Sequence, residues 1–207
     1  DEQQTMVDLL TTNETYFFRE SRHFDFLRDE VLGSRRPSRS FRVWSAASSS
    51  GEEAYSVAMV LAEALPNTVW EVFGSDISTQ VLTRARTASY PLNRNEGIPE
   101  ACRRKYCLPG ERGSHGTFQI APQIRQQVRF AQVNLTQPIS PAVGSFDVIF
   151  VRNVMIYFDA ETKRKVVANL LPRLLPGGYF IVGHSESLNG ITDQLSVVKP
   201  TIYRKPE

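Results

Sequence analysis

The sequence contains few of the residues that support disulfide-stabilised or metal-dependent folds. Its 207 residues include two cysteines, Cys102 and Cys107, and three histidines. Two cysteines are too few for a disulfide scaffold, and their spacing fits neither a CxxC redox pair nor a paired zinc motif. The histidines, His23, His115 and His184, are scattered along the chain without the spacing of metal ligands. We therefore expect reduced thiols and no metal site.

The chain also lacks hydrophobic runs of the kind that insert into membranes. It begins DEQQTM, without a cationic start followed by an apolar stretch, and no apolar run approaches the ~18 residues of a membrane span. The charge is nearly balanced, with 24 Lys and Arg against 22 Asp and Glu. So small an excess does not predict nucleic-acid binding, which depends on releasing counterions from phosphates. We expect a cytoplasmic globular protein without nucleic-acid binding or direct membrane insertion.

What the sequence does contain is a regular alternation of strands and helices. Phe41–Ala46 has the β-branched and aromatic content of a strand, and residues 52–65 then repeat apolar positions at helical spacing. Further strands are predicted at 69–76, 127–134, 145–153 and 177–183, with a helix at 160–175 and a closing strand pair, LSVVK and TIYRK. This alternation predicts an α/β fold, Rossmann-like, with about seven mostly parallel strands and helices on both faces.

Two regions interrupt the alternation. An N-terminal segment and linker, residues 1–40, carries a short predicted helix at 24–32 and ends in the polar connector GSRRPSRS. Between residues 91 and 124, prolines break the pattern, and KYCL and GTFQI flank the turn PGERGSHG as in a small β-hairpin. We expect a main domain at residues 41–207, with this β-subdomain inserted at the rim of its sheet.

The turn after the first strand is the first candidate for ligand binding, because open α/β sheets bind ligands beyond the C-terminal ends of their strands. It reads AASSSG and is followed by Glu52 and Glu53. The turn lacks the GxGxxG pattern that binds pyrophosphate, and the two carboxylates would repel phosphates. This favours a cationic ligand, although the same carboxylates also complement a helix dipole.

Polar residues also end the next three strands. Asp76 stands where Rossmann-type folds bind ribose hydroxyls, or where it would cap the next helix. Asn134 and Leu135 would suit an adenine ring, although an asparagine alone is more typical of a turn. Arg152 and Asn153 follow FDVIFV, where polar side chains are poor core material. Together these residues favour a binding crevice at one edge of the sheet.

Longer motifs give a family resemblance over about residues 11–203. TTNETYFFRE, RVWSAASSSGEEAYSVAM, SDIS, FDVIFVRNVMIYF and LLPGGYFIVGHSESL closely resemble the CheR family of chemotaxis receptor glutamate O-methyltransferases. The resemblance implies a class I methyltransferase fold that uses S-adenosylmethionine (SAM), gives S-adenosylhomocysteine as product and methylates receptor glutamates. Where family members often have Gly and Cys in the first turn, this chain has Ala47 and Ser48.

The resemblance also implies roles for individual residues. Arg19 and Tyr157 would lie nearest the transferring methyl group as the catalytic residues. A glutamate is already ionised at neutral pH, so we expect these two side chains to orient carboxylates and not to move protons. The residues implied to surround the cofactor are Asn13, Thr15, Arg19, Ala46, Glu52, Asp76, Asn134, Leu135, Arg152 and Asn153.

The implied partner is the cytoplasmic domain of a chemotaxis receptor, with its glutamate-rich helices. In some family members a β-subdomain at the hairpin's position binds a peptide from the receptor's C terminus by strand addition, and the loop PGERGSHG resembles theirs in length. Family members commonly carry an N-terminal helical domain that helps to recognise the receptor. This chain starts just after the point where that domain would end, so residues 1–40 would hold at most its remnant. Arginines are frequent in the first fifth of the chain. They form either a solvated face or a surface that attracts an acidic receptor helix.

Three other functions stay open. A SAM-dependent methyltransferase with another substrate would share the core motifs. A non-catalytic SAM-binding adaptor on receptor arrays would share the whole resemblance, although Arg19 and Tyr157 speak against it. A nicotinamide dehydrogenase would need the GxGxxG pattern that is missing. The motif GHSES, with Ser185 and Glu186, does not indicate a hydrolase, because no GxSxG surrounds its serine.

Overall fold

The computed structural model describes residues 14–33, 39–110 and 115–207, in which ten strands form two sheets. In chain order the strands are β1 (Phe41–Ala46), β2 (Trp70–Asp76), β3 (Ser89–Pro91), β4 (Cys107–Pro109), β5 (Thr117–Ile120), β6 (Val128–Gln132), β7 (Phe146–Val151), β8 (Leu174–Val182), β9 (Ser196–Lys199) and β10 (Ile202–Arg204). The α-helices are α1 (Arg22–Phe26), α2 (Glu52–Ala64), α3 (Thr79–Thr87), α4 (Glu100–Tyr106), α5 (Pro122–Arg125) and α6 (Ala160–Leu170).

The main sheet has seven strands in the order β6-β2-β1-β7-β8-β10-β9. Strand β10 runs antiparallel to both β8 and β9, and the other pairs in this sheet are parallel. A short turn joins β9 to β10, so the last strand folds back and inserts between β8 and β9. The predicted α/β fold, with about seven mostly parallel strands, is confirmed.

Helices cover both faces of this sheet because its strands are apolar on both sides. In β1, Phe41 and Val43 pack in one hydrophobic cluster with α2, whereas Trp44 and Ala46 pack in a second cluster with α6. Successive side chains of a strand point to opposite faces, so a run with few polar residues requires cover on both. Because β6, β2, β1, β7 and β8 run parallel, their C-terminal ends meet at one edge of the sheet, where the candidate site lies.

The N-terminal segment packs into the main core. Phe24 stacks on Phe150 of the central strand β7, with 6.0 Å between the ring centroids, and Phe17 is fully buried against the β-subdomain residue Tyr90. The single helix predicted at 24–32 is two pieces, α1 and a π-helical stretch at Leu27–Leu32. The segment thus reaches the sheet at the level of the strand ends.

The β-subdomain is larger than the predicted hairpin. The hairpin itself is present as β4 and β5, paired antiparallel, but β3 adds a third strand on the other side of β5. Helix α4 was not predicted either. It follows Pro99, which occupies the N-terminal cap position, so this proline begins a helix instead of breaking one.

The boundary between the last long helix and strand also differs from the prediction. Helix α6 ends at Leu170, and β8 begins at Leu174, before the glycine pair. A register shift in the β7–β8 ladder accommodates the extra residues, since Phe146 pairs with Leu174 but Val148 pairs with Tyr179. In the described part of the chain, no helix combines the length and apolar character needed to cross a bilayer.

Candidate active site

A cavity of about 560 Å³ lies where β1, β2, β6 and β7 end. That volume is in the range of small-molecule sites, roughly 300–1,000 Å³. The turns after these strands form its floor, the N-terminal segment covers one side, and the segment that follows β7 covers another. The lining residues are Glu14, Thr15, Arg19, Ala47, Ser48, Ser49, Glu53, Asp76, Ile77, Val133, Asn134, Leu135, Thr136, Arg152, Asn153, Val154, Tyr157 and Phe158.

Most of the residues singled out in the sequence line this cavity, and two do not. Ala46 is fully buried, and Glu52 accepts a hydrogen bond of 2.7 Å from the Ser50 hydroxyl; neither lines the cavity. Burial raises the pKa of the Glu52 carboxyl. Asn13 lies outside the described residues. The predicted residues that the structure brings together are Thr15, Arg19, Asp76, Asn134, Leu135, Arg152, Asn153 and Tyr157.

Asp76 joins the first two strand ends. Its carboxylate accepts hydrogen bonds from the backbone N–H of Ser49, at 2.9 Å, and of Ser78, at 3.0 Å. The hydroxyl of Ser78, not Asp76, caps α3 by accepting from the N–H of Val81. Asp76 therefore forms part of the cavity wall and holds the turn after β1 against the end of β2.

Asn134 forms the turn that the sequence also suggested. Its side-chain oxygen accepts hydrogen bonds from the N–H and the hydroxyl of Thr136, at 3.0 and 2.8 Å. Leu135 is buried, and its carbonyl accepts from the side-chain amide of Asn169. The turn places a polar and an apolar side chain at the same wall of the cavity.

Arg152 is 5% exposed, and its guanidinium is held by side chains from distant parts of the chain. Its Nε donates to Glu53 at 2.8 Å, and a terminal nitrogen lies 2.8 Å from Nδ1 of His23. Glu20 adds an ion pair at 3.6 Å, and the Ser45 hydroxyl donates to Glu53 at 2.6 Å. The buried cation is thereby matched by nearby carboxylates.

Sequence reasoning did not assign Glu20, His23 or Glu53 to the site. Glu53 was visible beside Glu52, but consecutive helix residues point about 100° apart, so the two carboxylates face different surroundings. The sequence alone does not say which of them faces Arg152. Glu20 and His23 contact Arg152, which lies more than a hundred residues later in the sequence, and local sequence patterns do not reveal such contacts.

His23 is neutral in this network. Burial and the Arg152 guanidinium lower its pKa to about 4, against an opposing effect of Glu20. With Nδ1 accepting from Arg152, Nε2 carries the proton and donates to the Thr201 hydroxyl at 2.7 Å. The ring therefore joins the N-terminal segment to the turn between the last two strands.

The backbone around the cavity adopts left-handed conformations that are uncommon for residues other than glycine. Ala47 has φ 59°, a backbone conformation that costs an alanine more than it would cost a glycine. Such conformations concentrate at functional sites, where surrounding contacts maintain them. The other non-glycine residues near the site with positive φ are Phe18, Glu20, Ser49 and Asn153.

Tyr157 and Arg19 lie at the rim of the cavity. Tyr157 is 63% exposed. Arg19 is half-buried, donates to the Glu14 carbonyl at 2.7 Å and stands over the Tyr16 ring, 5.6 Å from its centroid. Both side chains can therefore meet a macromolecule that approaches the cavity from outside.

The cavity suits a ligand with charges of both signs. Its walls carry the carboxylates of Glu14, Glu53 and Asp76 and the guanidiniums of Arg19 and Arg152. A nucleoside with an amino-acid group and a positively charged sulfur fits such walls, whereas a pyrophosphate would meet carboxylates. Within the described ranges, no group of three or more side chains has the arrangement of a metal site.

The sheet order and the mixed-charge cavity at the strand ends agree with a SAM-dependent methyltransferase, and a family model for a SAM-binding methyltransferase domain matches the chain. The chain belongs to the CheR methyltransferase family, whose SAM-binding domain matches residues 13–204. It is 40% identical to chemotaxis protein methyltransferase 2 of Pseudomonas aeruginosa, over 98% of this chain and 73% of that protein. The chemotaxis protein methyltransferases of Salmonella typhimurium, 39% identical, and Borreliella burgdorferi, 36% identical, align over 98% and 97% of this chain and 70% and 73% of their own lengths.

The His23→Gln variant tests the buried network through the pH dependence of stability. Because the pKa of His23 is lowered in the folded protein, the unfolded chain binds the extra proton between about pH 6.5 and 4. Stability should therefore fall as pH decreases through this window, with a contribution of up to about 1.4 kcal/mol per pH unit. We expect the variant to show a shallower fall in urea denaturation at pH 7, 6 and 5. His115→Gln, at an exposed site, is the control, and equal slopes in all three proteins would contradict the assignment.

Two serine variants should differ in their effect on stability. The Ser48 hydroxyl is the one fully buried side-chain polar atom in the described residues that has no hydrogen-bond partner, whereas the Ser45 hydroxyl donates to Glu53. We expect Ser48→Ala to leave the free energy of unfolding unchanged or to raise it by up to about 1 kcal/mol, and Ser45→Ala to lower it by about 1–3 kcal/mol. Urea denaturation measures both, and equal losses would contradict this difference.

Proposed function

We propose that this protein transfers a methyl group from SAM to glutamate carboxylates on the cytoplasmic helices of chemotaxis receptors, forming methyl esters. The observation that carries the proposal is that Asp76 and Asn134 line the same cavity whose rim holds Arg19 and Tyr157. A nucleoside-binding wall and two side chains suited to an acid acceptor thus share one space. The names of the relatives, chemotaxis protein methyltransferases, support this substrate class.

In this proposal the residues divide into two groups. Asp76 accepts hydrogen bonds from ribose hydroxyls, and Asn134 and Leu135 contact the adenine. Arg152 and Asn153, with Thr15, surround the amino-acid end of the cofactor. For Asn13, and for Ala46 and Glu52, which do not line the cavity, the cofactor-binding role rests on the family resemblance alone.

The chemistry requires orientation more than proton transfer. SAM supplies a methyl group on a positively charged sulfur, and the acceptor glutamate is ionised at neutral pH. Arg19 and Tyr157 would hold the acceptor carboxylate in line with that methyl group, and apolar side chains that line the cavity, such as Leu135 and Phe158, would limit water around the reacting charges. The side chains therefore act by position and charge.

Transfer of labelled methyl from SAM to a receptor cytoplasmic fragment, recovered as a base-labile ester, tests the function. We expect Arg19→Ala and Tyr157→Phe each to lower turnover about tenfold or more, since a small misplacement of reacting groups is costly. Tyr16→Phe, beside Arg19 at the rim, is the matched control and should keep near wild-type turnover. SAM binding without transfer would favour an adaptor, and unchanged turnover in both variants would refute the two assignments.

Receptor attachment is better explained by the β-subdomain than by the arginine-rich N-terminal region. Arg28, Arg39 and Arg42 form ion pairs with carboxylates of the protein itself, which reduces their attraction for an acidic helix. The small sheet has the order β3-β5-β4, so its outer strands can accept an added strand. A receptor's C-terminal peptide would then keep the enzyme close to its methylation sites.

Calorimetric titration with C-terminal peptides of the organism's own receptors tests this attachment. We expect one peptide to bind at micromolar concentrations and its scrambled version to give no heat. Absence of heat for every receptor peptide at high micromolar concentrations would count against strand addition.

We also place the protein in the cytoplasm, where receptor methylation sites lie. Cys102 and Cys107 are free thiols in the structure. Burial raises the pKa of both, to about 11 for Cys107, so they stay protonated at neutral pH. Unreactive free thiols agree with a reducing compartment.

A further inference from the structure

The loop that follows β8 contains a buried carboxylate bound by a cluster of backbone N–H groups. Glu186, from the motif GHSES, is 7% exposed. Its Oε2 accepts from the N–H of Gly183 at 2.6 Å and of Asn153 at 2.8 Å. Its Oε1 accepts from the N–H groups of Val154 at 3.1 Å, Met155 at 2.7 Å and Ile156 at 3.2 Å.

Four of the five donors are consecutive residues, 153–156, of the segment that follows β7. Asn153 has φ 60°, and Val154 returns to negative φ at −122°. A left-handed residue next to right-handed ones turns successive N–H groups toward one point and forms a concave anion site. Hydrogen bonds to an ionised acceptor are stronger than neutral ones. The carboxylate of Glu186 therefore specifies this backbone conformation.

Gly183 allows the close approach that the cluster needs. A Cβ atom built on Gly183 would lie 2.6 Å from the side-chain nitrogen of Asn153 and 2.7 Å from Oε2 of Glu186. Any side chain at this position would displace one of them. The residue that follows β8 must therefore be glycine for the loop to reach the segment after β7.

The same segment carries Asn153, Val154 and Tyr157, which line the cavity, whereas Glu186 does not line it. Glu20 holds the segment from the other side, since it accepts from the Asn153 side chain at 3.1 Å and from the N–H of His184 at 3.0 Å. We propose that Glu186 is a positioning residue that sets the place of Asn153 and Tyr157 relative to the reacting groups. Its effect on catalysis rests on the function proposed above, whereas its effect on the backbone does not.

The Glu186→Gln variant separates these two effects. The amide places an NH₂ group where one carboxylate oxygen accepted N–H donors, so part of the cluster loses its acceptor. Amide hydrogen exchange should accelerate about tenfold or more at residues 153–156 and Gly183, while β1 and β2 keep wild-type protection. Ser185→Ala, at an exposed position of the same loop, is the matched control and should leave these rates unchanged.

Kinetics and binding then test the positioning role. We expect Glu186→Gln to lower kcat about tenfold in the wild-type background but less than threefold in a Tyr157→Phe background, because both changes act on one interaction. Affinity for S-adenosylhomocysteine, measured by calorimetry, should fall about three- to tenfold through the displaced Asn153. Additive losses of kcat, or unchanged affinity with unchanged kcat, would overturn the positioning role.

A second variant covers a failure of Glu186→Gln to fold. Glu186→Asp keeps the charge with a shorter side chain, and we expect smaller increases in exchange at the same five amides. Wild-type exchange at those amides in either folded variant would overturn the backbone role. Accelerated exchange in a protein that shows no methyl transfer even as wild type would keep the backbone role and refute the proposed function instead.

Discussion

The burial of the Arg152 guanidinium is the constraint on which the site depends. A cation removed from water is costly unless acceptors surround it, and leaving it unpaired costs more than the pair itself contributes. Here three acceptors come from two places: Glu53 at the start of α2, and Glu20 and His23 in the N-terminal segment. One buried charge thereby holds the N-terminal segment against the strand ends. Residues of that segment form one side of the cavity.

The parts of the fold that follow from local pattern were predictable. Alternation of strand and helix requires only the periodicity of apolar residues, and β1, β2 and β7 lie within a few residues of their predicted limits. The ends of α6 and β8 were less predictable, because the extra residues around the Gly177 pair are absorbed by a register shift that depends on the neighbouring strand. Helix α4 was missed since prolines mark both breaks and beginnings of helices.

The candidate site was predictable where a strand end determines it and not where distant segments meet. Asp76, Asn134 and Arg152 follow strands, and parallel strands bring such residues to one edge. Glu53 could not be distinguished from Glu52 without the orientation of the helix. His23 and Glu186 form hydrogen bonds with residues far away along the chain. From the sequence, the motif GHSES served only to exclude a hydrolase. The family resemblance predicted most of the residues that line the cavity, but it did not predict the side chains that hold those residues in place.

The position of β10 has a consequence for how the protein is made. This last strand lies inside the sheet, between β8 and β9, and the adjoining Thr201 is the partner of His23 near the other end of the chain. During synthesis His23 is made 178 residues before its partner Thr201. The contact between His23 and Thr201 therefore forms only after most of the sheet has been translated, and until β10 pairs with β8, that edge of β8 lacks its antiparallel neighbour.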